Sequence, residues 1–244
     1  LKRRDFTINA MAYNDETGLT DLFDGKRDLD RKVIRAVGDP KERFSEDALR
    51  ILRAIRFSAQ LDYGIEKDTE AAIGKLRQNL EMISAERIRT ELQKLLLSDH
   101  PEKLQEMRRL GITAVVLPEY DRLSDGQRDQ LCAALQCSEK SPVIRLSILL
   151  LPVKNEAVSV LRRLKYDNQT IRSVTKLAEY AEEMPDLTPE NVRRSMVEIG
   201  TDLMSALFSL KRSLGQNRDY IDSYEACYQK IIADGDCISL KDLR

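Results

Sequence analysis

Residues 39–61, Asp39-Pro-Lys-Glu-Arg-Phe-Ser-Glu-Asp-Ala-Leu-Arg-Ile-Leu-Arg-Ala-Ile-Arg-Phe-Ser-Ala-Gln-Leu61, constrain this chain more than any other stretch. Spaced about 100° apart on a helix, Phe44, Ala48, Ile51, Leu52, Ile55 and Ala59 form one stripe, which must face a core. Ser45 reads as the N-cap, and Glu46 and Asp47 place negative charge in the first turn. Glu46, Arg50 and Arg53 lie opposite the stripe, with Asp47 and Arg56 flanking them.

The polar side carries arginines rather than lysines. Arginine offers a rigid fork of donors that suits bases and phosphates, whereas the carboxylate of Asp47 can only accept. Asp47 and Arg50, one helical turn apart, form an acceptor–donor pair. Cytosine and adenine each present an amino donor beside a ring-nitrogen acceptor on the pairing edge. Uracil and guanine present a carbonyl beside an N–H, the reverse polarity. A fixed carboxylate and guanidinium would therefore accept C and A and reject U and G, whose edges would leave buried polar groups unpaired. The competing reading is a solvated face of Glu–Arg pairs.

Composition narrows the class. A chain of 244 residues can bury a sizeable core in one or two domains. Its 40 Lys and Arg against 41 Asp and Glu leave a net charge of −1, which excludes a wholly basic nucleic-acid binder and confines any RNA contact to local patches. Trp is absent, and Leu, Ile, Ala, Arg, Glu and Lys dominate, which favours helices. No apolar run is long enough to cross a membrane, since Leu146–Val153 is short and broken by Pro152. No signal peptide is read. Cys132, Cys137, Cys227 and Cys237 match no metal spacing and read as free thiols of a cytosolic, cytoplasmic protein. The solitary His100 excludes chemistry built on clustered histidines.

Three motifs then occur in order. Lys2-Arg-Arg-Asp-Phe-Thr-Ile-Asn-Ala-Met-Ala12 comes first, Glu46-Asp47-Ala-Leu-Arg50-Ile-Leu-Arg53-Ala-Ile-Arg56-Phe57 follows, and Ile83-Ser-Ala-Glu-Arg-Ile-Arg-Thr-Glu91 comes last. They resemble motifs of the bacterial CCA-adding enzymes (tRNA nucleotidyltransferases), a family that includes bacterial poly(A) polymerases. The middle motif is similar to that family's nucleotide-selecting helix. The resemblance implies that Arg4 contacts the nucleotide, that Asp5 lies at the ribose, and that Asp47 and Arg50 read the base. Arg53 and Arg56 would contact the nucleotide or steady that pair. Glu46 stands beside them, and Glu86 and Arg87 resemble the motif that braces the selecting helix. A bracing salt bridge is the expectation there rather than substrate contact.

Taken in order, Asp5 or Thr7 is expected to cap a short helix through Tyr13, with Arg3 and Arg4 before its N-terminus, a setting suited to phosphate. Residues 14–38 read as a small β-element: a turn at Asn14–Gly18, extended chain over Leu19–Phe23, a turn at Asp24-Gly25 and a return strand over Val33–Val37. Asp21–Leu29 is similar to the family segment that links the catalytic sheet to the helical neck. Beyond Leu61 the chain reads as helical over 66–80, 84–98, 101–110, 124–137, 141–151, 154–165, 167–184, 188–199, 201–213 and 216–233. No repeat period emerges. Between 145 and 176 the cations Arg145, Lys154, Arg162, Arg163, Lys165, Arg172 and Lys176 face only Glu156 and Asp167. Leu161–Tyr166 with Asn168–Ile171 resembles the body that receives the acceptor stem. Arg145, Arg162, Arg163, Lys165 and Arg172 are thus RNA-contact candidates, against the reading of a solvated face.

Nucleotide addition needs carboxylates that hold divalent metal, which the family carries as Asp-x-Asp after a Gly-rich loop. Asp28-Leu-Asp30 and Asp234-Gly-Asp236 follow no β-run and are not assigned that role. The expectation is an internal fragment that lacks the first part of the head and the tail. It would have no catalytic or metal residues of its own and would be inactive alone, with Mg²⁺ held by the missing part. The fold expected is mainly α, with a small β-element as the remnant of a nucleotidyltransferase head. Residues 1–38 would be head, 39–110 neck and 111–244 an RNA-facing body. The intact protein would add C and A to a tRNA 3′ end from CTP and ATP, with the protein as template. The alternatives are a poly(A) polymerase, a CC- or A-adding enzyme, or a non-catalytic helical RNA-binding module. Nothing in the sequence sets the oligomeric state.

Overall fold

The computed structural model describes residues 1–235; Asp236, Cys237 and the run Ile238–Arg244 lie outside the described residues. The chain is mainly helical and divides into two compact units. One is Leu1–Cys132 with Arg163–Lys165, and the other is Ala133–Arg162 with the described residues from Tyr166 on.

The first unit opens on a 3₁₀ turn, Thr7–Asn9, rather than a helix through Tyr13. Met11–Asn14 is instead strand β1, paired antiparallel with β2, Gly18–Asp21, in the register Tyr13↔Leu19. The tight return uses Gly18 at φ 73° and a hydrogen bond from Glu16 N–H to the Asn14 carboxamide oxygen at 2.8 Å. The expected turn at Asp24-Gly25 is the start of helix α1, Gly25–Asp30. Asp21 reaches forward to organise it, accepting from the backbone N–H groups of Phe23, Gly25 and Lys26 at 3.3, 2.8 and 2.9 Å. Those bonds, Lys26 first, hold its carboxyl below the usual carboxylate range. Gly25 is required by close approach, because a Cβ there would stand 2.3 Å from the Thr7 carbonyl oxygen. Val33–Ile34, β3, does not return onto β2. It pairs parallel with β4, Gly64–Ile65, so its partner is a segment about thirty residues downstream that periodicity could not reveal.

The central stretch is two helices rather than one. Asp39, not Ser45, is the first cap: its side chain accepts from Lys41 N–H at 2.7 Å and starts α2, Pro40–Glu46. Asp47 then breaks the helix with φ −152° and ψ 103°, and α3 runs Leu49–Leu61. The buried stripe survives the break, because Phe44, Ala48, Ile51, Leu52, Ile55 and Ala59 are all buried. Helix α4, Lys67–Leu76, passes into a 3₁₀ turn, Arg77–Met82. Helix α5, Ala85–Leu96, packs on α3 through Ile88, Leu92, Leu95 and Leu96. Each such side chain, when fully buried, contributes roughly 1.5–3 kcal/mol. Helices α6, Leu104–Arg109, α7, Thr113–Val116, and α8, Pro118–Asp121, follow, and α9, Asp125–Cys137, contains the boundary between the units.

In the second unit α10, Pro142–Leu150, is buried on all sides, as its run of apolar residues requires. It packs with α12, Asn168–Tyr180, and α14, Met204–Ser213, while α13, Pro189–Ile199, and α14 pack on α15, Arg218–Ala233. The intervening helix α11 is Ala157–Arg163, preceded by a 3₁₀ turn. Phe208 anchors the core edge-on to Tyr224 at 5.2 Å. The segment after α12 is tied down from α14 and beyond. Lys211 Nζ donates to the carbonyls of Ala181 and Glu183 at 2.9 and 2.6 Å, and the Tyr220 hydroxyl donates to Pro185 O at 2.6 Å.

Candidate functional site

The break before α3 positions the polar residues. Its extended backbone turns the Asp47 carboxylate back onto the new helix, where Oδ1 accepts from Leu49 N–H at 3.1 Å. Oδ2 accepts from Arg87 Nη2 at 2.8 Å, so α5 grips the break from the side. Arg87 thus braces this position, as a salt bridge. The Glu86 side chain has no hydrogen-bond or ion-pair partner among the described residues.

Arg50, one turn into the structure beyond Asp47, is held on four sides. Its Nη1 donates to Arg43 O at 3.0 Å and to Glu46 Oε2 at 2.9 Å, and its Nη2 donates to Arg3 O at 3.3 Å. Its Nε stands 3.6 Å from Asp5 Oδ1. Arg43 Nη1 similarly donates to Lys2 O at 3.0 Å. The guanidiniums of Arg43 and Arg50 therefore hold the carbonyls of residues 2 and 3. Arg4 follows directly, exposed, with no side-chain partner among the described residues.

Asp5 links the N-terminal segment to α3. Its Oδ2 accepts from Arg53 Nε at 2.5 Å and pairs with Arg53 Nη2 as well, a two-point contact. Behind it, Asp5 O accepts from Val37 N–H at 3.1 Å and Thr7 N–H donates to Arg35 O at 2.9 Å. The buried Asp28 adds to this fixing, because Thr7 Oγ1 and Arg35 Nε both donate to its Oδ2, at 2.6 and 3.0 Å.

Arg56 is different in kind. Only 7 % exposed, it donates through Nε to Glu91 Oε2 at 2.6 Å and through Nη1 to Gln60 Oε1 at 2.7 Å. Its Cζ lies 3.9 Å from the centroid of the Phe57 ring. Its guanidinium is thus enclosed by Glu91, Gln60 and the Phe57 ring. Glu91 also faces Arg53 Nη1 at 3.8 Å and Lys94 Nζ at 3.9 Å, so one buried carboxylate serves three cations. Glu91 and Phe57 are the residues that sequence reasoning left without a role. The signal was available for Glu91 alone: an acidic residue on the apolar stripe of α5, between Ile88, Leu92 and Leu95, needs a buried cation.

Chemically this is an arginine-lined face with the carboxylates of Asp5, Glu46 and Asp47 set among the guanidiniums, and exposed Arg4 adjoins it. It suits a ligand carrying both a donor–acceptor edge and phosphate. Among the described residues no group of three or more His, Cys, Asp and Glu side chains is placed to hold a metal ion.

The family described as "Poly A polymerase head domain" matches residues 1–35, and "Probable RNA and SrmB- binding site of polymerase A" matches residues 62–123. A CCA-adding enzyme of Pediococcus pentosaceus is 35% identical over 232 residues, covering 92% of this chain and 57% of its own length. That of Ligilactobacillus salivarius is 56% identical over 107 residues, 43% of this chain and 26% of its own. The crystal structure of the Bacillus stearothermophilus CCA-adding enzyme in complex with CTP superposes with a TM-score of 0.78 at 26% identity, over 95% of this chain and 58% of that one. The chain belongs to the family of CCA-adding enzymes and poly(A) polymerases. It spans little more than half the length of the family members that it matches along most of its own length.

Of the RNA-contact candidates, Arg145 is a correction. It is 3 % exposed and donates to Ser138 Oγ, Ser138 O and Glu139 O at 3.2, 3.0 and 3.1 Å. Its charge is consumed in closing the turn before α10 and cannot track phosphates. Arg163 is half committed, donating to Val116 O at 3.0 Å and Glu119 Oε2 at 2.6 Å. Arg162, Lys165 and Arg172 are exposed. Lys165 takes φ 58°, and its carbonyl accepts from Arg89 Nη1.

Proposed function

We propose that this chain is the base-selecting and RNA-facing portion of a tRNA nucleotidyltransferase that adds C and A to the tRNA 3′ end from CTP and ATP. Asp47 and Arg50 read the base, Arg4 and Arg53 contact the nucleotide, Asp5 lies at the ribose, and Arg56, Glu46 and Arg87 hold these groups in place. Residues 1–38 are the end of the head, 39–110 the neck and 111–244 the body. Arg162, Arg163, Lys165 and Arg172 face RNA. Mg²⁺ is the metal proposed, bound by residues outside this chain, and the protein works in the cytoplasm. No helix among the described residues is long and apolar enough to cross a membrane.

The observation that carries the reading is the helix break at Asp47. It frees a carboxylate from regular helix, fixes it between Leu49 N–H and Arg87, and leaves it about a third exposed beside Arg50. A solvated ion-pair face needs no such break.

The test is Asp47→Asn in the full-length protein, with kcat/KM measured for all four nucleotides on a tRNA lacking its 3′ end. Asn keeps the acceptor for Leu49 N–H, so folding is retained, but it also brings a donor. Incorporation of UTP or GTP relative to CTP and ATP should rise by roughly tenfold to a hundredfold, the worth of one polar mismatch of about 1–3 kcal/mol. Arg50→Ala should instead depress the use of both C and A. Unaltered ratios in folded Asp47→Asn protein would remove the base-reading assignment.

A further inference from the structure

The Phe57 ring touches both the N-terminal segment, through Phe6, and the arginines of α3. On one side its ring meets Phe6 edge-on, with centroids 5.7 Å apart and planes at 80°. Phe6 is fully buried and is the chain neighbour of Asp5. On the other side lies the Arg56 guanidinium, Cζ 3.9 Å from the ring centroid, with Arg53 Cζ at 5.7 Å. Arg56 Nε and Nη1 donate in plane to Glu91 and Gln60, while its Cζ lies over the ring.

We propose that Phe57 is a positioning residue for nucleotide selection, a ring that sets the height of Arg53 and Arg56 against the segment carrying Arg4 and Asp5. The inference rests on the reading of this face as the base-selecting site. An aliphatic side chain of similar volume would fill the same space and satisfy Phe6. It has no quadrupole to hold a cation and no flat surface to register one. Arg53 is the residue that feels the loss, because it is the more exposed of the two and bridges Asp5 and Glu91. A tilt of its guanidinium shifts Asp5 and, through the 3.6 Å contact, Arg50.

The experiment compares Phe57→Leu, Phe57→Tyr and Asp47→Asn in the full-length protein by thermal melting and by kcat and KM for CTP, ATP, UTP and GTP. Phe57→Leu is expected to lower kcat/KM for CTP and ATP by about tenfold, mainly through KM, the scale of one desolvated cation–π contact. UTP and GTP should fall less, so discrimination narrows. Phe57→Tyr, which keeps the ring, should stay within about twofold of the parent. Should leucine not fold, Phe57→Met carries the same expectation. Unchanged nucleotide ratios in a folded Leu or Met variant, with altered ratios in Asp47→Asn, would overturn the role of Phe57 and leave the site standing. Unchanged ratios in all variants would overturn the site and this inference together.

Discussion

Arg56 in the first unit and Lys211 in the second are both cations taken out of water, and their surroundings differ. Arg56 has a carboxylate against it, Glu91 at 2.6 Å, and an aromatic face above it. Lys211, wholly buried, has only the carbonyls of Ala181 and Glu183. Two backbone carbonyls at the end of α12 satisfy its donors and offer partial negative charge, but they do not balance a full positive one. Burial therefore pushes its pKa down to about 8, with the charges of Glu183 and Glu182 opposing the shift only partly. Arg56 is held by an opposite charge, and Lys211 by backbone dipoles alone.

The largest effect should come from removing the partner in the first case. Glu91→Ala strands the Arg56 charge between Phe57 and the α3–α5 seam, and should destabilise the first unit by about 3–5 kcal/mol, read from urea unfolding. Glu91→Gln, which still accepts a hydrogen bond, should cost less. Equal losses would assign the whole cost to the missing charge, and a negligible loss in Glu91→Ala would mean that Glu91 does not balance the Arg56 charge.

In the second unit the effect is one of pH. The folded pKa of Lys211, about 8, lies below the ordinary 10.5, so between those values the unfolded chain binds more protons and stability rises with pH. Below about pH 8 the penalty is constant and on the order of 3 kcal/mol, and it is progressively relieved up to about pH 10.5. Lys211→Met should abolish that rise in the unfolding midpoint whatever it does to stability at pH 7. A rise that persists in the methionine variant would assign it to another group.

The smallest effect is expected at the exposed pair that closes the helix break. Arg87, 48 % exposed in its side chain, meets Asp47 at 32 %. Arg87→Ala should cost no more than about 0.2–1 kcal/mol, and less in high salt. A loss as large as that of Glu91→Ala would make Arg87 a buried strut in function and blur the distinction between the two kinds of pairing.

Much of the architecture was legible in advance where the signal is local. The ten helical segments read beyond Leu61 all occur, with ends shifted by a few residues, because apolar spacing and residues such as Asp167, Thr188 and Pro189 act within one or two turns. The arginine face of α3 could be read for the same reason. Arg145 could not, since sequence supplies its charge and not the Ser138–Glu139 turn that absorbs it.

By itself the sequence determined the amphipathic stripe from Phe44 to Ala59, the helical body and the three motifs that give the family. Periodicity and side-chain chemistry are properties of a segment alone. Tertiary structure alone decided the break at Asp47, the pairing of Val33–Ile34 with Gly64–Ile65, and which arginine faces outward and which is enclosed. Glu-Asp-Ala-Leu is compatible with unbroken helix. In the folded chain the carboxylate freed by the break meets Arg87, forty residues on, and the Leu49 N–H. Arg50, Arg53 and Arg56 are equivalent until Asp5 and Glu91 arrive from two other segments to sort them.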